Sequence, residues 1–193
     1  MELERRNIVI VGTGPAGCAS AIAAGKGGFN VTVLEKRTRE DIINTTNTSF
    51  EALQNLTQDE DVLDMLQDLG LEIDPVCTYK GAVVTGPSGG EVRIELKRPH
   101  GYFVRRKGRG SIDHQLIRRV EKAGIDIRFG SRVLEVSERG CVKYEDENGI
   151  GTINAKMVIG ADGKGTTVGK GYVKKLNKKD IALGIEYHFP NKQ

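Results

Sequence analysis

Three stretches of this 193-residue chain carry residue types suited to gripping an anionic ligand. The first is Gly12-Thr13-Gly14-Pro15-Ala16-Gly17, a GxGxxG pattern set where an apolar β-branched run gives way to small residues. Gly12 permits a tight turn, Gly14 lets backbone approach a pyrophosphate, and Gly17 lets helix and strand pack closely. A helix opening there, with Pro15 and Ala16 in its first turn, would present unpaired N–H groups and a partial positive charge to a phosphate. The second is Glu35, 23 positions beyond Gly12 at the end of the next apolar run, followed by Lys36 and Arg37. A carboxylate there can accept hydrogen bonds from a ribose 2′-OH and would repel a 2′-phosphate, which favours a dinucleotide other than NADP. The third is Gly160-Ala161-Asp162-Gly163, where Met157-Val158-Ile159 ends in an acid between glycines.

Groups able to transfer protons or attack a substrate are sparse by comparison. His100, His114 and His188 are the histidines, and none has a carboxylate at motif spacing. Ser111 has no nucleophile-elbow context. Cys18, Cys77 and Cys141 are far apart, form no CxxC, and suggest neither a metal site nor a dithiol centre. No general acid, general base or metal ligand is assigned. That suits a protein whose cofactor does the electron chemistry while the chain binds and orients it.

The elements that must position these groups follow from periodicity. Residues 7–11 form a continuous β-branched run, as in a buried parallel strand. The small apolar stretch from Gly14 to Gly27 predicts a helix, and Val31-Thr32-Val33-Leu34 a second strand, together a βαβ start of about thirty residues. Residues 38–56 are polar and stay unassigned. Thr57-Gln58-Asp59-Glu60 is a capping box for a helix with Val62, Met65, Leu66 and Leu69 on one face, ending at Gly70. From Tyr79 to Val104 the pattern is β, with residues 86–90 as a hairpin loop. A helix opens at Ser111-Ile112-Asp113 with Leu116, Ile117 and Val120 inward, followed by a strand near 125–129. Further strands at 133–137, 141–145 and 150–155, with Asn148-Gly149 as a hairpin turn, make a meander leading into Met157.

The totals agree with a soluble α/β protein. Apolar residues make up 38% and charged residues 28%, and the net charge of +3 is too mild to argue for nucleic acid. No apolar run has the length of a membrane span. The N-terminus enters a strand directly and the cysteines are odd in number, so the expected location is cytoplasmic.

The stretch IVIVGTGPAGCASAIAAGKGGFNVTVLEKR resembles the N-terminus of FAD-dependent oxidoreductases with the p-hydroxybenzoate hydroxylase type of fold. Within them it is most similar to geranylgeranyl reductases, which saturate isoprenoid chains. The resemblance covers the whole chain, against about the first half of such enzymes. It implies an α/β fold: a Rossmann-type FAD-binding domain of the glutathione reductase and p-hydroxybenzoate hydroxylase kind, with a β-meander and part of an inserted β-rich substrate lobe. The boundaries expected are 1–70 and 106–170 for the FAD domain, and 71–105 with 171–193 for a truncated lobe.

By the same resemblance FAD is the cofactor, and Arg109, four residues before Asp113, approaches its diphosphate, with Arg105 and Arg106 as competitors for the role. Ala161, Asp162 and Gly163 match the family's "ADG" segment beside the ribityl and pyrophosphate portion. Thr166 stands in for the serine that usually follows, but Gly169 replaces the family's arginine, with Lys170 beside it. The family's Cys-Gly segment has no counterpart in residues 42–48.

The implied function is reduction of C=C bonds in isoprenoid lipids. A monooxygenase of the same fold, or a dinucleotide-binding module inactive alone, are the alternatives. The partners implied are a hydrophobic small-molecule substrate, an electron donor, peripheral contact with a membrane, and a second copy or partner chain completing the fold.

Overall fold

The apolar run at the N-terminus becomes β1 (Glu4–Val11), and the small-residue stretch after it becomes α1 (Pro15–Lys26). They appear in a computed structural model that describes residues 4–44, 49–53, 61–68, 75–105, 110–163, 166–170 and 172. The remaining described elements are β2 (Val31–Glu35), α2 (Arg39–Ile43), β3 (Ser49–Leu53), α3 (Val62–Asp68), β4 (Cys77–Thr85) and β5 (Glu91–Arg105). Then come α4 (Ile112–Lys122), β6 (Asp126–Phe129), β7 (Arg132–Val136), β8 (Cys141–Asp146) and β9 (Gly149–Gly160).

Six strands form one mixed sheet in the order β6-β2-β1-β9-β8-β7. β6, β2, β1 and β9 run parallel, and β8 and β7 continue the sheet antiparallel. β1 is buried on both faces, which is why it reads as an unbroken apolar run rather than an alternating one. Its Ile8 and Ile10 pack with Cys18, Ala21 and Ile22 of α1 and Leu116, Ile117 and Val120 of α4. Val9 and Val11 face the other way, onto Leu34, Val133, Val142, Ile153 and Ala155. β9 serves both halves of the sheet: it starts antiparallel to β8 after a turn at Gly149 and continues parallel to β1. The expected strand over 150–155 and the run at Met157 are thus one strand.

A second sheet, ordered β3-β5-β4, is antiparallel. Its β4–β5 hairpin turns at residues 86–90, where Gly86 N–H donates to Gly90 O at 2.8 Å. Ala82 pairs with Ile94 and Val84 with Val92, so these four share one face; Val84, Val92 and Ile94 are exposed.

The polar stretch left unassigned above contains structure. Thr38 caps α2 through a capping box: its hydroxyl accepts from Asp41 N–H at 3.0 Å, and the Asp41 carboxylate accepts from Thr38 N–H at 3.1 Å. Arg39 then ties α2 to α4 through an ion pair with Glu121. β3 falls inside 1–70 but pairs with β5. The capping box expected at residues 57–60 lies outside the described residues, as do Leu69 and Gly70. Val62 and Leu66 of α3 are buried as expected, but Met65 is 39% exposed. Two turns of helix present too narrow a stripe to bury it as well.

Candidate functional site

Strand register brings the glycine loop, Glu35 and the Ala161 segment together. Val11 pairs with Leu34 on one side and with Gly160 on the other. Gly12, Glu35 and Ala161 therefore leave the carboxyl edge of three adjacent parallel strands side by side, the place where open α/β sheets bind ligands. Gly12 N–H donates to Leu34 O at 2.8 Å, and Ala161 N–H to Val11 O at 2.9 Å, which fixes the three chain exits relative to one another. Between them and the start of α4 lies a cleft of about 570 Å³. Gly12, Gly14, Glu35, Lys36, Ala161, Asp162 and Gly163 all line it.

The three fingerprint glycines are glycines for different reasons. Gly12 has φ of 102°, and a Cβ on it would stand 2.5 Å from Ala161 O. A Cβ on Gly17 would run into the carbonyl oxygen of Gly12. Those two positions are dictated by the fold. Gly14 is not: its φ is −66°, open to any L-residue, and among the described residues a Cβ there would meet nothing within 4 Å beyond its chain neighbours. The space beside Gly14 is a cradle that the described residues leave empty, at a helix start with no side-chain cap and no acid in its first turn. Pro15 is the first helical residue, and Ala16 opens on a neighbouring cavity of about 870 Å³ that shares Ala161, Asp162 and Gly163. The residues present fit a diphosphate: N–H groups, a free face, and no competing anion on the helix end.

Glu35 is only 3% exposed. Its Oε2 accepts from Thr13 N–H at 2.9 Å and from the Thr13 hydroxyl at 2.6 Å. Its Oε1 accepts from Arg37 N–H at 2.9 Å and Arg37 Nε at 3.0 Å. Burial pushes this carboxyl up, but the hydrogen bonds from Arg37 and Thr13 outweigh burial and hold it below its ordinary value of 4.5. A depressed folded-state value means stability that is fully present above pH 4.5 and is lost as pH falls through the folded value. Acid titration followed by circular dichroism should show the unaltered chain losing stability below that pH more steeply than Glu35→Gln.

The other candidates divide. Asp162 reaches the cleft, but its Oδ2 accepts from Thr167 N–H at 2.6 Å and Val168 N–H at 3.3 Å, closing the turn that follows. Burial opposes its charge, and hydrogen bonds from Thr166, Thr167 and Val168 outweigh burial and hold its carboxyl low. Thr166 Oγ1 in turn accepts from Gly169 N–H at 2.8 Å. Gly160 leaves room for Val168, whose Cβ would lie 2.8 Å from an added methyl, so its glycine serves packing inside the chain. Arg109 and Arg106 lie outside the described residues. Arg105 lines the cleft and forms a two-point ion pair with Asp113, Nε to Oδ2 at 2.7 Å and Nη2 to Oδ1 at 2.9 Å. The planar guanidinium is thereby held in one orientation.

Thr13 and Arg132 also brace or line the cleft and carry no signal in the sequence, and Arg37, named there only as the residue closing the Glu35-Lys36-Arg37 run, lines it too. Thr13 occupies a variable position of the motif, and only the β1–β2 register reveals its partner. Cys18 lies one turn into α1 behind the loop, its thiol donating to Thr13 O at 3.3 Å. Burial, then the charges of Asp113 and Glu35, push that thiol up to about 12. Among the histidines, His100 makes an edge contact with Tyr79, His114 is buried with no partner for Nδ1 among the described residues, and His188 lies outside them. Among the described residues no group of three or more metal-ligating side chains converges, and no helix is long and apolar enough to cross a membrane.

Comparison with known proteins agrees with this geometry. A family model described as "FAD binding domain" matches residues 5–180. A digeranylgeranylglycerophospholipid reductase of Methanococcus vannielii is 30% identical over 198 aligned residues, covering 97% of this chain and 46% of the relative. A geranylgeranyl bacteriochlorophyll reductase-like protein of Thermoplasma acidophilum superposes with a TM-score of 0.63 at 26% identity, over 84% of this chain and 40% of that one. A p-nitrophenol 4-monooxygenase of Pseudomonas putida, at 18% identity and a TM-score of 0.65 over 83% of this chain and 42% of that one, shares the fold. The chain spans about half the length of the curated relatives it matches. With the loop, the acid and the returning strand gathered at one sheet edge and the match running nearly end to end, the chain belongs to the FAD-binding domain family, and FAD is its cofactor.

Proposed function

We propose that this chain is the nucleotide-holding part of an FAD-dependent oxidoreductase that reduces C=C bonds in isoprenoid lipids. The observation that carries the cofactor half of this reading is the open face of Gly14 at the uncapped start of α1. The Methanococcus relative, named for a digeranylgeranylglycerophospholipid, supports the substrate half and implies a hydrophobic partner molecule. In this reading Gly12, Gly14, Pro15, Ala16 and Gly17 seat the diphosphate, Arg105 lines the same cleft, and Arg109, outside the described residues, contributes a further cation to the phosphates. Glu35 and Lys36 bound the adenosine end, and Ala161, Asp162 and Gly163 bound the other. Bound FAD supplies the hydride-transfer chemistry, and the chain supplies orientation. Residues 1–70 and 106–170 form the cofactor domain, with 71–105 and 171–193 contributing to a substrate lobe.

The test is an absorbance spectrum of the purified chain after reconstitution with FAD, with mass identification of any nucleotide released. A flavin band that survives gel filtration is expected. Release of NAD, or no flavin retained, sinks the cofactor reading. Consumption of O₂ with formation of a hydroxylated product would move the activity to the monooxygenases.

A further inference from the structure

Strand register sorts the side chains of the β4–β5 hairpin. Ala82, Val84, Val92 and Ile94 share one face, and Val83, Thr85, Glu91 and Arg93 the other. Residues 81–95 are exposed apart from a half-buried Gly86, so the end of the hairpin projects into solvent. Its aliphatic side chains project with it: Val83 is 52% exposed, Val84 55%, Val92 62% and Ile94 45%. Because Val83 points away from the other three, apolar surface lies on both faces of the hairpin's end. A helix or sheet packed on one face would leave the aliphatics of the other in water. A bilayer interface surrounds a projecting hairpin and takes both.

We infer that the end of the β4–β5 hairpin docks on a lipid bilayer that carries anionic headgroups. The inference rests on the reading of the substrate as an isoprenoid lipid, because such a molecule resides in a bilayer and the protein must come to it. Charge agrees with that surface. Lys80, Lys97 and Arg98, all exposed, stand behind the aliphatics. Of the two acids in residues 77–98, Glu91 is paired with Arg93 Nη2 at 3.6 Å, which leaves Glu95 against three cations. Lysine and arginine stems let those charges reach the headgroups while the valines and Ile94 sink to the acyl boundary, about 5–10 Å deep. Among the described residues β4 is at the edge of its sheet, and a seat this shallow keeps its outward N–H and C=O groups hydrated. The far end of β5 is Arg105, in the cofactor cleft, so the nucleotide site stays on the water side.

The experiment floats the full chain with vesicles of phosphatidylcholine, and of phosphatidylcholine mixed with phosphatidylglycerol. Two multiple variants are compared with the unaltered chain. Val84→Thr with Val92→Thr and Ile94→Thr removes apolar surface and keeps branched, strand-favouring side chains; Lys97→Gln with Arg98→Gln removes charge alone. Melting curves confirm that both are folded. The unaltered chain should bind both kinds of vesicle, more tightly the anionic one, with the difference fading as salt rises. The threonine variant should lose roughly tenfold or more in partitioning onto both. The glutamine variant should lose roughly tenfold on the anionic vesicles only, at low salt. No vesicle binding by the unaltered chain overturns the inference, as does binding that neither variant weakens. A change of oligomeric state in the threonine variant, with vesicle binding untouched, assigns the hairpin to a second copy and overturns it too. Flavin absorbance of the same samples keeps the two readings apart. Vesicle binding without retained flavin removes the reductase reading alone, and retained flavin without vesicle binding removes the docking surface alone.

Discussion

Gly14→Val should lose FAD binding by a factor of 100 or more, about 2.7 kcal/mol, while the chain keeps its fold. Two facts set this result. The φ of −66° at Gly14 is available to valine, and among the described residues nothing beyond its immediate chain surroundings lies within 4 Å of an added Cβ, so the first side-chain carbon meets no clash there. The branched side chain then fills the space that a diphosphate needs to reach the first-turn N–H groups. Valine is a poorer helix N-cap than glycine, so a loss of about 1 kcal/mol in stability is expected beside the binding loss. Flavin fluorescence quenching gives the first quantity and a thermal melt the second. Thr166→Ala is the control: it removes the hydroxyl that accepts from Gly169 N–H, loosening a turn at the edge of the cleft. One neutral hydrogen bond is worth about 1 kcal/mol, so its affinity loss should be roughly fivefold. Equal losses from the two changes would contradict the roles given to them.

Gly17→Ala should do the reverse and damage the fold itself. Its methyl would drive into the Gly12 carbonyl oxygen, with the Ala161 Cβ a further 3.3 Å neighbour. Neither can yield easily, because Gly12 N–H is bonded to Leu34 O and Ala161 N–H to Val11 O. Overpacking against pinned backbone should cost about 3 kcal/mol. For a chain of this length that is a fall of roughly 6–12 °C in Tm, measurable by calorimetry without any nucleotide present. A Tm within a degree of the unaltered chain would mean that α1 can slide away from β1, and the close packing described here would not hold.

These two glycines also show where sequence and structure part. The motif is legible because its residues are neighbours in the chain, and the same holds for β1, α1, β2 and the meander, whose periodicities are local. What was not legible depends on distant pairing. β3 is a strand because residues 49–53 meet residues 101–105 of β5, and Ser-Phe-Glu-Ala-Leu carries no signal of that on its own. α2 has only five residues, and its Thr38–Asp41 capping box is the single local cue. Glu35 was legible as a site residue, but its partners were not. Thr13 is 22 positions away, and the pairing follows from the register of β1 with β2. Asp162 likewise reached the expected edge of the sheet, while one of its oxygens is spent on closing the turn after it.

The Cys18 thiol under the glycine loop doubles as a clock for that loop. With its pKa at about 12, only about one thiol in 10⁵ is ionised at pH 7. Burial at 1% exposure keeps alkylating reagents away as well. Cys77, in contrast, is exposed and open to alkylation. Slow labelling of Cys18 in the native protein therefore counts the moments when the loop and α1 part from the sheet, an opening frequency read by mass spectrometry. A nucleotide that binds only the closed loop should slow this labelling about 100-fold when present at about 100 times its Kd. The protein thus carries its own reporter of cofactor occupancy, readable by thiol labelling without colour or activity.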